Sequence, residues 1–170
     1  ADSQTPQGIV AVVQKEEVGQ ADFSQGKFLF LEDVQDPGNV GTIIRTADAA
    51  GFTGVIVSDK SADIYSLKTL RSMQGSHFHL PIYRMSSQTL LEEAKKAGIP
   101  VLATTLSKDS KDYRDLPHLD QFVLVMGNEG QGISPLMAES ADQLVHISMK
   151  GQAESLNVAV AAGILIFHLS

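Results

Sequence analysis

The chain has 170 residues, with 13 Lys or Arg against 20 Asp or Glu and a formal net charge of −7. Its length suits a single domain, and a content of 43% hydrophobic and 19% charged residues is typical of a globular fold rather than a disordered chain. The absence of cysteine excludes disulfides, thiolate metal sites and cysteine nucleophiles. The acidic charge makes the domain a poor general binder of nucleic acid.

The sequence contains no segment that predicts export or membrane insertion. Residues 1–6 are polar and lack the basic region that opens a signal peptide. The longest apolar run, around Val158–Leu169, is shorter than the about 20 residues that cross a bilayer. Together with the lack of cysteine, these features favour a cytoplasmic location.

Residues 1–7 are predicted to be a linker, because they are polar and carry no apolar period. From residue 8 to residue 170, short apolar runs alternate with helical patterns. The predicted strands are 9–13, 27–31, 54–58, 79–84, 100–104, 121–126 and 144–148. The predicted helices are 40–50, 66–73, 87–97, 135–138 and 156–169, with Ser87 and Ser155 as candidate N-caps.

Three of these strands are continuous apolar runs, at 28–31, 55–57 and 122–126. Continuous runs indicate burial on both faces, as in a parallel sheet covered by helices. The predicted fold is therefore an α/β domain of three layers with a parallel sheet. The last helix is apolar on all sides, which predicts packing into the core and against a second subunit.

Polar residues follow three of the strands, at 32–41, at 127–132, and at 148–151 with 155–157. Ligands of open α/β sheets bind beyond the carboxyl ends of the strands, so these segments predict one shared site. The G-x-G-x-x-G and G-x-x-x-x-G-K-[ST] nucleotide motifs are absent. The five histidines show no metal-ligand spacing, and no Ser-His-Asp arrangement supports a hydrolase. No metal is therefore expected.

The three segments resemble the ordered motifs of a known family. They are D-P-G-N-V-G-T-I-I-R-T-A at 36–47, V-M-G-N-E-G-Q-G-I-S at 125–134 and I-S-M-K-G-Q-A-E-S-L-N-V-A at 147–159. They are similar to those of the SpoU/TrmH family, the S-adenosylmethionine-dependent RNA ribose 2′-O-methyltransferases of the SPOUT class. Residues 71–81 resemble the family's segment between the first two motifs. Ser148 stands where the family often has Pro, and we expect a small change in loop stiffness from it.

The resemblance implies a C-terminal trefoil knot, a homodimer whose active sites take residues from both subunits, and RNA as substrate, with ribosomal RNA favoured over transfer RNA. It also leads us to expect that an N-terminal RNA-reading domain precedes residues 8–170 in full-length relatives. The residues that the resemblance assigns to S-adenosylmethionine are Thr104, Leu106, Gly127, Ile147, Met149 and Leu156. Those it assigns to catalysis are Asn39, Arg45, Glu129, Ser155 and Asn157.

Eight of these eleven residues also have a structural interpretation. Ile147, Met149 and Leu156 are candidates for ordinary core packing. Purely structural roles for the polar residues are helix capping by Asn39, Ser155 and Asn157, an ion pair of Arg45 with Asp48, and an exposed loop carboxylate at Glu129. Because a guanidinium stays protonated, we interpret Arg45 as an orienting and electrostatic group rather than a base. Glu129 would be a weak base only if its pKa were raised.

Two different functions stay open on the sequence alone. A non-catalytic RNA-binding or ribosome-assembly protein could use the same scaffold, and cofactor binding would separate it from an enzyme. A dinucleotide-dependent oxidoreductase is disfavoured by the missing glycine fingerprint.

Overall fold

The computed structural model describes residues 21–64 and 80–170, together with the backbone of residues 17–18. The predicted linker at 1–7, the strand at 9–13, the helix at 66–73 and most of the segment at 71–81 lie outside the described residues.

The described residues form an eight-stranded sheet in the order β1-β4-β3-β2-β7-β5-β8-β6, and every neighbouring pair is parallel. The predicted α/β class with a parallel sheet is confirmed. The strands are β1 Glu17–Val18, β2 Lys27–Leu31, β3 Gly54–Val57, β4 Ile82–Arg84, β5 Val101–Thr104, β6 Lys111–Asp112, β7 Phe122–Met126 and β8 Gln143–His146.

The central strands β2, β3 and β7 are buried almost throughout, because helices cover both of their faces. The bounds of β2 are those predicted, and the other predicted strands that are described differ by one to three residues at their ends. Two strands were not predicted, β1 and β6. Each has two residues, which is too short for a periodic pattern.

Four helices and one short 3₁₀ turn complete the described fold. The helices are α1 Pro37–Ala49, α2 Ser87–Ala97, α3 Pro135–Ser140 and α4 Val158–Leu169, and the 3₁₀ turn is Tyr113–Asp115. One core joins α1 and α4 to one face of the sheet, and a second core joins α2 and α3 to the other. The predicted three layers are therefore present.

The N-terminal caps of three helices differ from the expected ones. Asp36 rather than Asn39 caps α1, since its side chain accepts from the Gly38 N–H and Pro37 takes the first helical position. The cap of α2 is Ser86 instead of Ser87. The cap of α4 is Asn157, whose side chain accepts from the N–H groups of residues 159 and 160, so the expected cap at Ser155 is wrong.

Helix α4 buries one side and exposes the other. Val158, Ala162, Leu165, Ile166 and Leu169 are buried, whereas Val160 and Phe167 stay 52% and 54% exposed. The predicted packing of this helix into the core is confirmed, and the predicted contact of its other side with a second subunit stays a prediction. Among the described residues, no helix combines the length and the apolar character needed to cross a membrane.

Candidate active site

The three polar segments meet at the carboxyl edge of the sheet, as the sequence predicted. The carboxylate of Glu129, in the loop after β7, accepts from the Asp36 N–H at 2.9 Å and from the Gln35 N–H at 3.2 Å. The Asn39 side-chain amide, on the first turn of α1, donates to the same carboxylate at 3.4 Å. Asn157 in turn donates to the Asn39 side-chain oxygen at 3.3 Å. We call Asn39, Glu129 and Asn157 the amide–carboxylate bridge.

The hydrogen bonds of this bridge determine the charge state of Glu129. Partial burial alone would raise the pKa of Glu129, but backbone N–H groups, led by that of Asp36, and the Asn39 amide outweigh it and lower the pKa below its ordinary value. Glu129 is therefore ionised at neutral pH. A raised pKa, which a weak general base would need, is not found.

The loop after β7 folds tightly on itself. Asn128 and Gly132 exchange two backbone hydrogen bonds, at 2.9 and 3.0 Å, while the Asn128 side-chain oxygen accepts from the N–H groups of Gly130 and Gln131. The Asn128 amide also donates to the Asp33 carbonyl at 2.8 Å. A Cβ at Gly127 would lie 2.5 Å from the Gly132 carbonyl carbon, so only glycine fits there.

A cavity of about 560 Å³ opens beside the bridge, bounded by this loop, by residues 104–107 and by the segment leading into α4. Its volume is in the range of small-molecule sites, and its walls are mostly apolar with a few polar groups. All six residues that the family resemblance assigns to the cofactor line it: Thr104, Leu106, Gly127, Ile147, Met149 and Leu156. Their placement agrees with a ligand slot; their role in binding stays a prediction.

The five predicted catalytic residues divide into three groups. Asn39, Glu129 and Asn157 form the bridge, and Ser155 lines the cavity together with Glu129. Arg45 lies on the exposed side of α1 and belongs neither to the cavity wall nor to the bridge of the same chain. The structure shows no Arg45–Asp48 ion pair among the residues it describes.

Sequence reasoning missed Glu32, which is only 2% exposed. Its carboxylate accepts from the Ser134 N–H at 2.7 Å, the Ser134 hydroxyl at 2.8 Å and the Ser87 hydroxyl at 2.5 Å. The Glu32 carboxylate therefore connects the end of the loop after β7, residues 127–132, which we call the glycine loop, to the starts of α2 and α3. A charged residue directly after a buried strand was the available signal.

A second missed feature is a turn held by two buried serines. Asp33 has a left-handed backbone with φ of 57°. Its N–H donates to the Ser58 hydroxyl at 2.7 Å, and that hydroxyl lies 3.1 Å from the Ser61 hydroxyl. This turn presents the Asp33 carbonyl to Asn128 and so supports the glycine loop.

Ser148, the departure from the family pattern, is hydrogen-bonded to a residue of β6, the strand next to β8. Its hydroxyl donates to the Asp112 carboxylate at 2.6 Å.

No cluster of three or more His, Asp or Glu side chains suited to a metal ion occurs in residues 21–64 or 80–170.

A family model described as the SpoU rRNA Methylase family matches residues 26–167. The chain is 45% identical over 168 residues to the 23S rRNA (guanosine(2553)-2'-O)-methyltransferase RlmP of Bacillus subtilis, covering 99% of this chain and 66% of that protein. It therefore spans slightly less than two thirds of this curated relative.

Solved structures give the same relationship. The AdoMet-bound rRNA methyltransferase of Sinorhizobium meliloti matches with a TM-score of 0.85 and 40% identity, over 91% of this chain and 59% of that one. The TrmH/SpoU tRNA modifying enzyme of A. aeolicus matches with a TM-score of 0.74 and 32% identity, over 96% and 81%. The family model covers most of the chain, three motifs match, and the fold is shared. We conclude that this chain belongs to the SpoU rRNA methylase family.

Proposed function

We propose that residues 8–170 form a catalytic domain that transfers a methyl group from S-adenosylmethionine to a ribose 2′-hydroxyl of RNA, with ribosomal RNA as the favoured substrate and the cytoplasm as its location. The observation that carries the proposal is the amide–carboxylate bridge beside the apolar cavity. It joins three distant motifs at one sheet edge, where α/β folds bind their ligands.

The cavity suits S-adenosylmethionine in both size and chemistry. Leu106, Ile147 and Leu156 offer apolar walls for an adenine ring, while the loop at 127–132 offers backbone N–H and C=O groups. The absent Cβ of Gly127 keeps this loop close to the strand end. When bound, the cofactor supplies a methyl group that its sulfonium makes electrophilic. We also propose that the segment before α4 threads into the trefoil knot of the family.

The bridge is proposed to orient the ribose rather than to accept its proton. Glu129 is ionised, but its oxygens already accept from the N–H groups of Asp36 and Gln35. It therefore holds the start of α1, and with it the Asn39 amide, in place. Asn157 fixes the other side of Asn39, and Ser155 offers a hydroxyl to the ribose from the cavity wall.

Arg45 is proposed to act in the site of a partner subunit. It lies exposed on α1, which packs beside α4, and α4 exposes Val160 and Phe167. Exposed apolar side chains on one helical face are typical of an interface. A homodimer through this face would bury the α4 side chains and carry Arg45 toward the partner's cavity. There its planar guanidinium would hold an RNA phosphate and stabilise the developing alkoxide.

The proposal is tested by mapping ribose methylation by mass spectrometry in total RNA of cells with and without the gene. We expect one 2′-O-methyl group of ribosomal RNA to disappear in the deletion and to return with the wild-type gene. Loss from transfer RNA instead would keep the chemistry and change the substrate. Unchanged methylation of both RNAs would contradict enzymatic function and favour a non-catalytic RNA-binding protein.

A further inference from the structure

One side of the cavity is bordered by an edge arm, residues 105–115, which runs from the end of β5 through β6 and the 3₁₀ turn. Three of its residues, Thr105, Leu106 and Ser107, line the cavity, although Leu106 is 68% exposed. The arm contains β6, which pairs with β8 through only two residues. The Thr105 N–H also donates to the Val145 carbonyl at 2.9 Å, and side-chain contacts add to these few backbone hydrogen bonds in holding the arm.

The side-chain contacts of the arm reach β8, the segment that follows it and helix α4. The Ser148 hydroxyl donates to the Asp112 carboxylate at 2.6 Å, and the Ser110 hydroxyl lies 2.8 Å from His146 Nδ1. The Tyr113 ring meets the His168 ring edge to face at 4.8 Å. Ser148 lies between Ile147 and Met149, which both line the cavity. The Ser148–Asp112 hydrogen bond therefore connects the edge arm to the part of the cavity wall that follows its neighbouring strand β8.

The Asp112 carboxylate is well suited to hold this hydrogen bond. Arg114 donates to it from its backbone N–H at 2.9 Å and from Nε and Nη2 at 3.0 Å each. The Arg114 side-chain hydrogen bonds, followed by that of Ser148, hold the pKa of Asp112 far below its usual range. Asp112 thus remains an ionised acceptor throughout the neutral and mildly acidic range, and a hydrogen bond to a charged acceptor is stronger than a neutral one.

We propose that Ser148 is a positioning residue for the cofactor cavity, and that its hydrogen bond to Asp112, the Ser148–Asp112 clasp, keeps the edge arm closed against Ile147 and Met149. The clasp touches no reacting atom. It acts on ligand affinity by fixing the wall before binding, so that less ordering is needed when the ligand enters. The inference rests on the proposed function only in naming S-adenosylmethionine as the ligand.

The first test is a calorimetric titration of S-adenosylmethionine and S-adenosylhomocysteine into wild-type protein and Ser148→Ala. Loss of the clasp is expected to weaken affinity about 3- to 10-fold, which corresponds to one hydrogen bond. Ser148→Thr, which keeps a hydroxyl, is expected to restore most of the affinity. Ser140→Ala, at an exposed serine on α3 outside the cavity, is the matched control and should bind like wild type.

A double-mutant cycle separates the clasp from a direct contact of Ser148 with the ligand. If Ser148 acts through Asp112, then Ser148→Ala should cause little further loss of affinity in an Asp112→Ala background. The same fold-loss in both backgrounds would overturn the proposal, as would unchanged affinity of Ser148→Ala in the wild-type background.

Hydrogen exchange of the ligand-free protein gives a readout that needs no cofactor. Amides of residues 105–115 should exchange faster in Ser148→Ala than in wild type or Ser140→Ala, while the protection of β2 and β7 stays unchanged. Equal exchange in the arm would overturn the clasp even if the wild type binds the cofactor. Faster exchange in a protein that binds no cofactor would instead support the clasp and contradict the proposed function.

Discussion

The side chains of Asn39 and Asn157 lie 3.3 Å apart, amide nitrogen to oxygen, although 118 positions separate them in the chain. Asn39 belongs to the first turn of α1, and Asn157 caps α4 through its side-chain oxygen. One side chain thus performs two tasks: it satisfies the first N–H groups of a helix and positions a neighbouring amide. These two tasks are separable by substitution.

Replacing Asn157 should separate stability from activity. Asn157→Ala loses both the cap and the amide donor and should cost about 1 kcal/mol of unfolding free energy, the usual effect of a lost N-cap. Asn157→Ser keeps an acceptor for the helix and loses only the donor to Asn39. We expect both variants to methylate RNA more slowly, and only the alanine variant to unfold at lower urea. Equal rates for serine and wild type would contradict a role for the amide.

The left-handed turn at Asp33 predicts an unusual preference for glycine. Both Asp33→Gly and Asp33→Ala lose the hydrogen bond from the Ser58 hydroxyl to the carboxylate. Only alanine retains a Cβ at a φ of 57°, which costs roughly 1 kcal/mol or slightly more. The glycine variant should therefore be the more stable of the two by about that amount in urea unfolding. An alanine variant of equal or greater stability would show that the turn relaxes.

The lowered pKa of Glu129 predicts a specific pH dependence. Because its folded-state pKa lies below the ordinary value of 4.5, ionised Glu129 contributes stability that is complete above pH 4.5 and is lost as the pH falls through the folded-state pKa. In Glu129→Gln this dependence should vanish, so the difference from wild type shrinks between pH 7 and pH 3. The carboxylate is largely exposed, so the difference at pH 7 should stay below about 1 kcal/mol.

The measurement is the free energy of unfolding at several pH values for the wild type and the variant. Glu139→Gln, at an exposed glutamate on α3 outside the bridge, is the matched control. A difference that grows toward low pH would mean that the carboxyl is bound in its protonated form, contrary to the hydrogen bonds of the site.

The exposed side of α4 predicts a dimer that a single charge disrupts. Phe167→Asp should convert a dimer to a monomer in sedimentation equilibrium, because a carboxylate would be buried in an apolar interface. Leu136→Asp, at a 44% exposed leucine on α3 across the sheet, should leave the association state unchanged. A wild-type monomer at micromolar concentration would contradict the dimer, and a Phe167→Asp variant that stays dimeric would place the interface elsewhere.

Subunit complementation tests whether Arg45 serves the partner's cavity. Arg45→Ala and Gly127→Ala chains should each be inactive alone. In an equal mixture, heterodimers would contain one intact composite site, and activity should return to about a quarter of wild type if subunits exchange at random. No recovery in a mixture shown to contain heterodimers would mean that Arg45 acts within its own chain.

Local patterns in the sequence predict the centre of this fold well and its edges poorly. β2 and β7 are continuous apolar runs because both faces of the sheet are covered, and α2 begins and ends at the predicted residues. The two-residue strand β6 has no period of its own. It exists because β8 offers a free edge and because Ser148 and Tyr113 hold the arm, contacts that span dozens of positions.

The same distinction applies to the site. The family motifs correctly predicted that Asn39, Glu129 and Asn157 lie close together, since each occurs in a motif that follows a strand end. Glu32 was missed because its importance comes from three donors on two other segments, which no local spacing reveals. Arg45 lies within the first family motif, but the motif does not reveal that its side chain is exposed on α1, outside the cavity of its own chain. Its role depends on which molecule covers that exposed surface.

The most direct test of the account is a calorimetric titration of S-adenosylmethionine into the wild type, Gly127→Ala and Gly130→Ala. A Cβ at Gly127 would lie 2.5 Å from the backbone of Gly132 and Ile133, whereas one at Gly130 would lie 3.6 Å from the Asn128 side chain. We predict one molecule bound per chain in the wild type, undiminished binding in Gly130→Ala and no measurable binding in Gly127→Ala. Absence of binding to the wild type, or equal binding to all three proteins, would contradict the assignment of this cavity to the methyl donor.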